Sequence, residues 1–182
     1  MEFTPTDIAG AYIVDLHRIG DERGFFARAF CKNEFAEHNM DGTVVQANLS
    51  FNTTKGTVRG LHYQIAPAPE SKLVRCIRGS IVDVIVDMRP DSATYLQHIK
   101  VELDCESRRA LFVPAMVAHG FQTCHDDTEV MYMVSGLYTP ECERGLRADD
   151  PALGIDWPQS ISTQSEKDQQ WPLLSEPEEH TP

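Results

Sequence analysis

Apolar residues in this chain come in short runs of four to eight separated by polar breaks, a spacing that suits strands better than helices. Six segments rich in Val, Ile, Leu, Phe and Tyr are predicted strands: Val44–Asn48, Leu73–Arg78, Ile81–Asp87, His98–Leu103, Ala110–Val113 and Val130–Val134. Turn signals fall at Asp21-Glu-Arg-Gly24, Lys55-Gly56, Arg78-Gly79-Ser80, Arg89-Pro-Asp-Ser92 and Asp126-Asp127. Turns recurring about every ten residues are the pattern of a sandwich or barrel, so the predicted class is all-β. One short helix is predicted over Lys32–His38, with Asn33 as its N-cap and Phe35 on its apolar side. No run approaches the roughly 18 apolar residues of a membrane-crossing helix.

The 182-residue length and 41% hydrophobic content suit one packed domain, with or without a tail. A formal charge of −12 argues against nonspecific nucleic-acid binding, which needs a basic face; an anionic ligand would need a locally positive pocket. Cys31, Cys76, Cys105, Cys124 and Cys142 are widely spaced and never form CxxC, so neither a zinc knuckle nor a disulfide framework is indicated. The first residues carry Glu2 and Asp7 and lack a basic head before an apolar block, which does not read as a signal peptide and sets a cytoplasmic expectation. From Gln159 onward the chain turns polar and acidic. Residues 1–174 are expected to form the domain and Ser175–Pro182 a frayed tail. Trp171 and Leu173-Leu174 should bring Ser165–Leu174 back onto the body and fix Asp168.

The densest cluster of reactive residue types is Gly56-Thr-Val-Arg-Gly-Leu-His-Tyr-Gln64, followed by Glu70-Ser-Lys-Leu-Val-Arg75. Alternate strand residues share a face, so Gly60, His62 and Gln64 should point one way and Leu61 and Tyr63 the other. Lys72 and Val74 share a face by the same argument. A second cluster runs from Val113 to Phe121 and holds His119. In a third, Glu129-Val-Met-Tyr-Met-Val, alternation puts Val130, Tyr132 and Val134 on one side. Taken singly, a strand histidine or tyrosine packs more often than it reacts.

Together these clusters resemble the dTDP-4-dehydrorhamnose 3,5-epimerase family of the cupin superfamily. The resemblance is carried by ordered blocks along almost the whole chain: Asp21-Glu-Arg-Gly-Phe-Phe26, Gln46-x-Asn-x-Ser50, Arg59-Gly-Leu-His-Tyr-Gln64, Lys72-Leu-Val-Arg75, Val84-Ile-Val-Asp-Met-Arg89, Ala118-His-Gly-Phe121, Tyr132, Glu143-Arg-Gly145, Asp149-Asp-Pro151, Ile155-Asp-Trp-Pro158 and Ser165-Glu-Lys-Asp168. It implies a cupin-like jelly-roll β-sandwich with a few short peripheral helices, working as a homodimer without metal or other cofactor. The implied reaction is epimerisation at C3, C5 or both of a nucleotide-linked 4-keto-6-deoxy sugar, with dTDP-4-dehydro-6-deoxyglucose as the leading substrate. His62 would be the general base paired with Asp168, and Tyr132 the donor on the opposite face of the sugar. Lys72 and His119 would hold the substrate or stabilise the developing enolate. Arg59 and Arg23 would bind the diphosphate, with the N-terminal segment carrying Arg23 reaching into the partner's site. Phe26, Gln46, Asn48 and Tyr138 complete the implied substrate-binding set.

The residue types suit that chemistry. A proton beside a ketone is acidic because the resulting carbanion spreads onto the carbonyl oxygen, so a site must stabilise an oxyanion, and a lysine supplies a point charge. Imidazoles titrate near neutral pH, and a carboxylate on one ring nitrogen fixes the tautomer and stabilises the imidazolium. No GxxxxGK[ST] or GxGxxG motif is present, and paired arginines suit a diphosphate instead. One departure is Gly24-Phe-Phe-Ala-Arg28, where family members often place Glu at the last position; a cation there leaves the nucleotide base open. Two other readings compete. A metal-dependent cupin would need HxH ligands, but the chain reads His62-Tyr-Gln64 with Glu70 and His119. A non-catalytic sugar-binding cupin would tolerate loss of His62, Tyr132 or Asp168, all of which are present.

Overall fold

In a computed structural model, which describes residues 1–174, the chain forms two antiparallel sheets packed face to face. The strands are β1 (Glu2–Pro5), β2 (Tyr12–Asp15), β3 (Arg18–Asp21), β4 (Gly24–Ala27), β5 (Gln46–Asn52), β6 (Val58–Gln64), β7 (Lys72–Arg78), β8 (Ser80–Asp87), β9 (His98–Asp104), β10 (Ala110–Val113), β11 (Val117–Thr123), β12 (Thr128–Val134) and β13 (Glu143–Gly145). Short helices α1 (Lys32–Glu37) and α2 (Glu166–Gln169) lie at the periphery. One sheet has the order β1-β2-β10-β7-β12-β5, the other β13-β6-β11-β8-β9, and β3 and β4 form a separate hairpin. This is the predicted all-β, jelly-roll class, and the predicted tail from residue 175 lies outside the described residues. No helix among the described residues is long and apolar enough to cross a membrane.

Alternation within the strands divides the core into three layers. Val74, Ile81, Ile85, Leu103, Leu111 and Val130 meet between the sheets. Leu61, Val82, Val84 and Val86 point out of the five-stranded sheet and are covered by Leu146, Leu153, Trp157 and Leu174 of the C-terminal segment. Leu73, Ala110 and Phe112 point out of the six-stranded sheet and meet Phe35 of α1. The apolar run Ile81–Val86 in β8, interrupted by Asp83, thus reflects a strand covered on both faces.

Two boundary readings need correction. The helix begins two residues earlier than an Asn33 cap requires: Cys31 is extended at the N-cap position, its carbonyl accepts the Phe35 N–H at 3.1 Å, and Asn33 lies inside the helix. The predicted Val44–Asn48 strand is shifted to Gln46–Asn52, because pairing with β12 runs from Val134↔Gln46 to Thr128↔Asn52. The short N-terminal strands β1, β3 and β4, mostly exposed, carry too weak an apolar alternation to be read from sequence.

Candidate active site

The site is built where the two sheets open at one end. Strands β6 and β11 pair with His62 opposite His119, and β12 pairs with β7 so that Val134 lies opposite Lys72 and Tyr132 opposite Val74. His62 and His119 therefore rise from one sheet and Lys72 and Tyr132 from the other, and all four line a cavity of about 620 Å³. Arg59 and Asp168 line the same cavity. An adjoining cavity of about 280 Å³ shares His62, Lys72 and Tyr132 and adds Gln46, Asn48 and Tyr138. Glycine at position 60 permits this arrangement: φ is +101°, and a Cβ would lie 2.6 Å from the His119 carbonyl oxygen. Only a bare backbone lets β6 and β11 approach this closely.

Asp168 reaches His62 from a segment remote in sequence. Ser165 caps α2 by accepting the Asp168 N–H at 3.1 Å, and the Asp168 carboxylate turns inward at 3% exposure. One of its oxygens lies 2.5 Å from His62 Nε2, and the other accepts the Gly60 N–H at 3.3 Å. Burial alone would push this carboxyl up; the His62 hydrogen bond and charge, with the Gly60 N–H, outweigh it and hold Asp168 below the ordinary range. The segment is fastened by Leu174, whose N–H bonds Asp150 Oδ2 at 2.8 Å, and by Trp171, whose indole lies directly over Gly145. A Cβ at Gly145 would fall 2.1 Å from Trp171 Nε1. Gly145→Ala is accordingly expected to cost about 1–3 kcal/mol and lower the melting temperature by roughly 2–12 °C, readable by calorimetry.

The opposite wall is equally specified. Burial pushes the Tyr132 phenol up, Glu70 adds to the shift, and Arg59 opposes it, so the hydroxyl keeps its proton well past neutral pH. Lys72 Nζ donates to Glu70 Oε1 at 2.5 Å. Arg59 Nε donates to Asn52 Oδ1 at 2.6 Å, leaving the guanidinium edge at the cavity wall. His119 Nε2 lies 2.7 Å from Asp83, a fully buried carboxyl that burial pushes up although His119 pulls the other way. Gln64 is spent on backbone: its amide nitrogen donates to the Ala68 and Leu137 carbonyls and its oxygen accepts the Thr139 N–H. Among the described residues no group of three or more His, Cys, Asp or Glu side chains is placed to hold a metal ion.

Two residues of the sequence-derived set stand apart. Arg23 pairs with Asp21 at 2.5 Å on the exposed β3–β4 hairpin, its side chain 84% exposed, and Phe26 on the same hairpin is 70% exposed. Neither lines the cavity of its own chain. Arg28 is bound to Glu34 at 2.7 Å. Sequence reasoning assigned no role to Glu143, which accepts the Tyr138 hydroxyl at 2.7 Å and the Lys167 ammonium, or to Lys167, which lines the larger cavity. Both lie inside recognisable blocks, but their partners come from separate elements. Asp83 had a visible signal, a lone acid within Ile81-Val-Asp-Val-Ile-Val86.

A histidine tied to a buried carboxylate on one wall, facing a protonated phenol and an ammonium on the other, is equipment for moving protons on a bound molecule; with the jelly roll around it, it defines a cupin-type isomerase. The family model for dTDP-4-dehydrorhamnose 3,5-epimerase matches residues 5–176, and the chain belongs to that family. It is 43% identical over 177 residues to the dTDP-4-dehydrorhamnose 3,5-epimerase of Sinorhizobium fredii, covering 97% of this chain and 91% of that protein. It is 37% identical over 177 residues to the dTDP-4-dehydrorhamnose 3-epimerase of Streptomyces niveus, covering 97% and 85%. The crystal structure of the dTDP-6-deoxy-D-glucose-3,5-epimerase from Legionella pneumophila, in complex with dTDP-4-keto-L-rhamnose, superposes with a TM-score of 0.88 at 36% identity, covering 95% of this chain and 92% of that one.

Proposed function

We propose that this protein inverts C3 and C5 of a dTDP-linked 4-keto-6-deoxy hexose by removing a proton to form an enolate and returning one to the opposite face. The observation that carries the reading is the placement of His62, held by Asp168, and Tyr132 on opposite walls of one cavity. In this mechanism the ring nitrogen of His62 not engaged by Asp168 takes the proton from carbon, and the carboxylate stabilises the imidazolium. The carbon's electrons move onto the C4 oxygen, where Lys72 meets the developing charge and His119 assists. Tyr132 then delivers its proton from the other side; afterwards His62 releases to solvent the proton it took, and the Tyr132 phenolate takes one from solvent. The sequence of steps is redox-neutral. Arg59 grips the diphosphate at the larger cavity, while Gln46, Asn48 and Tyr138 line the smaller one.

Homodimerisation is part of the proposal. The β3–β4 hairpin projects Ile19, Phe25 and Phe26, and the edge strand β5 bares Leu49 and Phe51 beside the cavity. A hairpin exchanged between subunits would cover these apolar side chains and bring Arg23 and Phe26 to the partner's substrate. In this reading the enzyme works in the cytoplasm.

A second reading, inversion at C3 alone, is supported by the 3-epimerase relative. Incubating the protein with dTDP-4-keto-6-deoxyglucose and resolving the product by proton NMR separates the two, and inversion at both carbons is expected. Inversion at C3 only selects the second reading. No inversion with the dTDP, UDP, CDP or GDP sugar contradicts both.

A further inference from the structure

Glu70 belongs to none of the roles assigned above, yet it lies beside the residues that perform them. Its side chain is 11% exposed and that of Lys72 9%, with 2.5 Å between carboxylate and ammonium. Glu70 lines only the smaller cavity, whereas Lys72 lines both. The pair is braced from several directions. Ser71, between them, is buried; its N–H donates to Ser135 Oγ at 2.9 Å, and its carbonyl accepts the Ser135 N–H at 3.1 Å. Gly136 leaves the room that Glu70 occupies: a Cβ there would lie 3.1 Å from Glu70 Cβ.

We propose that Glu70 is a positioning residue of the proton-transfer site, holding the Lys72 ammonium at the boundary of the two cavities, beside His62 and Tyr132. The inference rests on the functional reading above. A lysine carries a compact charge on a flexible four-carbon stem, so an unheld ammonium would spread over several rotamers. Stabilising an oxyanion depends on charge fixed in place before the reaction, and a misplacement of about 1 Å costs as much as 100-fold. The buried carboxylate supplies that fixation, and the same negative charge adds to the burial that keeps the Tyr132 phenol protonated.

The test is the rate of deuterium uptake from solvent into the dTDP-linked keto sugar, with kcat and KM measured separately. Glu70→Gln, nearly isosteric, is expected to lower kcat about 10- to 100-fold while KM stays within about twofold. In a Lys72→Met background the same substitution should change kcat less than about twofold, because Glu70 acts through the ammonium. A Glu70→Gln enzyme with wild-type kcat, or with the same loss in both backgrounds, overturns the proposal. Should Glu70→Gln fail to fold, Gly136→Ala displaces the carboxylate without removing it; a lowered kcat at constant KM supports the role and an unchanged kcat refutes it. Wild-type uptake is measured first. Its absence overturns the functional reading and the Glu70 role together, whereas wild-type uptake with an unaltered Glu70→Gln enzyme overturns Glu70 alone.

Discussion

His62→Ala is expected to reduce proton exchange at both C3 and C5 by about 10²–10⁴-fold, the range associated with losing a general base. In the proposed mechanism one base serves both carbons, so the two rates should fall together. The substitution also strands Asp168, whose side chain is 4% exposed. Its carboxylate then keeps the Gly60 N–H but loses the histidine that holds its pKa down, and an uncompensated buried charge typically costs about 3–5 kcal/mol. Raising pH does not relieve that cost, because the group ionises more fully; lowering pH through its raised pKa does. The variant should therefore melt lower than wild type at neutral pH and recover part of the difference in acid. Exchange and thermal unfolding measured on one preparation separate lost chemistry from lost fold, and a folded variant that retains exchange removes His62 as the base.

Tyr132→Phe should divide the reaction where His62→Ala stops it. The phenol lies on the six-stranded sheet, across the cavity from His62, and its raised pKa keeps it a proton donor at working pH. Removing the hydroxyl leaves proton removal and return on the His62 face intact but eliminates delivery to the other face. Inversion should drop about 10²–10⁴-fold while exchange with retention falls much less. Following isotope content and stereochemistry in the same tube gives both numbers, and equal losses would remove Tyr132 from the acid role.

Much of this site was legible because strand alternation is a strong constraint. Once His62 is assigned to a strand, Gly60 and Gln64 follow it to the interior and Leu61 to the outer layer, as observed. The same rule put Lys72 with Val74 and Tyr132 with Val130. Alternation says nothing about what meets across the gap between sheets. The pairing of Asp168 with His62 spans 106 residues; Trp171 and Leu173-Leu174 signal that the segment docks, but only the family resemblance names His62 as the partner, and the seating of Trp171 over Gly145 is visible only in the fold. Glu143, Lys167 and Tyr138 converge from three separate elements, and no spacing in the chain encodes that meeting. Local boundaries failed where tertiary pairing decided them, as at β5, whose extent follows its register on β12. Arg28 shows a different limit: its type suggested a changed contact to the nucleotide base, while the fold gives it Glu34 as a partner.

The central claim is that one cavity moves protons on the carbons flanking a ketone, and solvent exchange reads those protons directly. The decisive measurement is the time course of deuterium incorporation, in heavy water, into dTDP-4-keto-6-deoxyglucose by the wild-type protein, followed by NMR at each ring position. The account predicts enzyme-dependent incorporation at C3 and C5 and none at C2; a sugar that keeps its protons at C3 and C5 would contradict it.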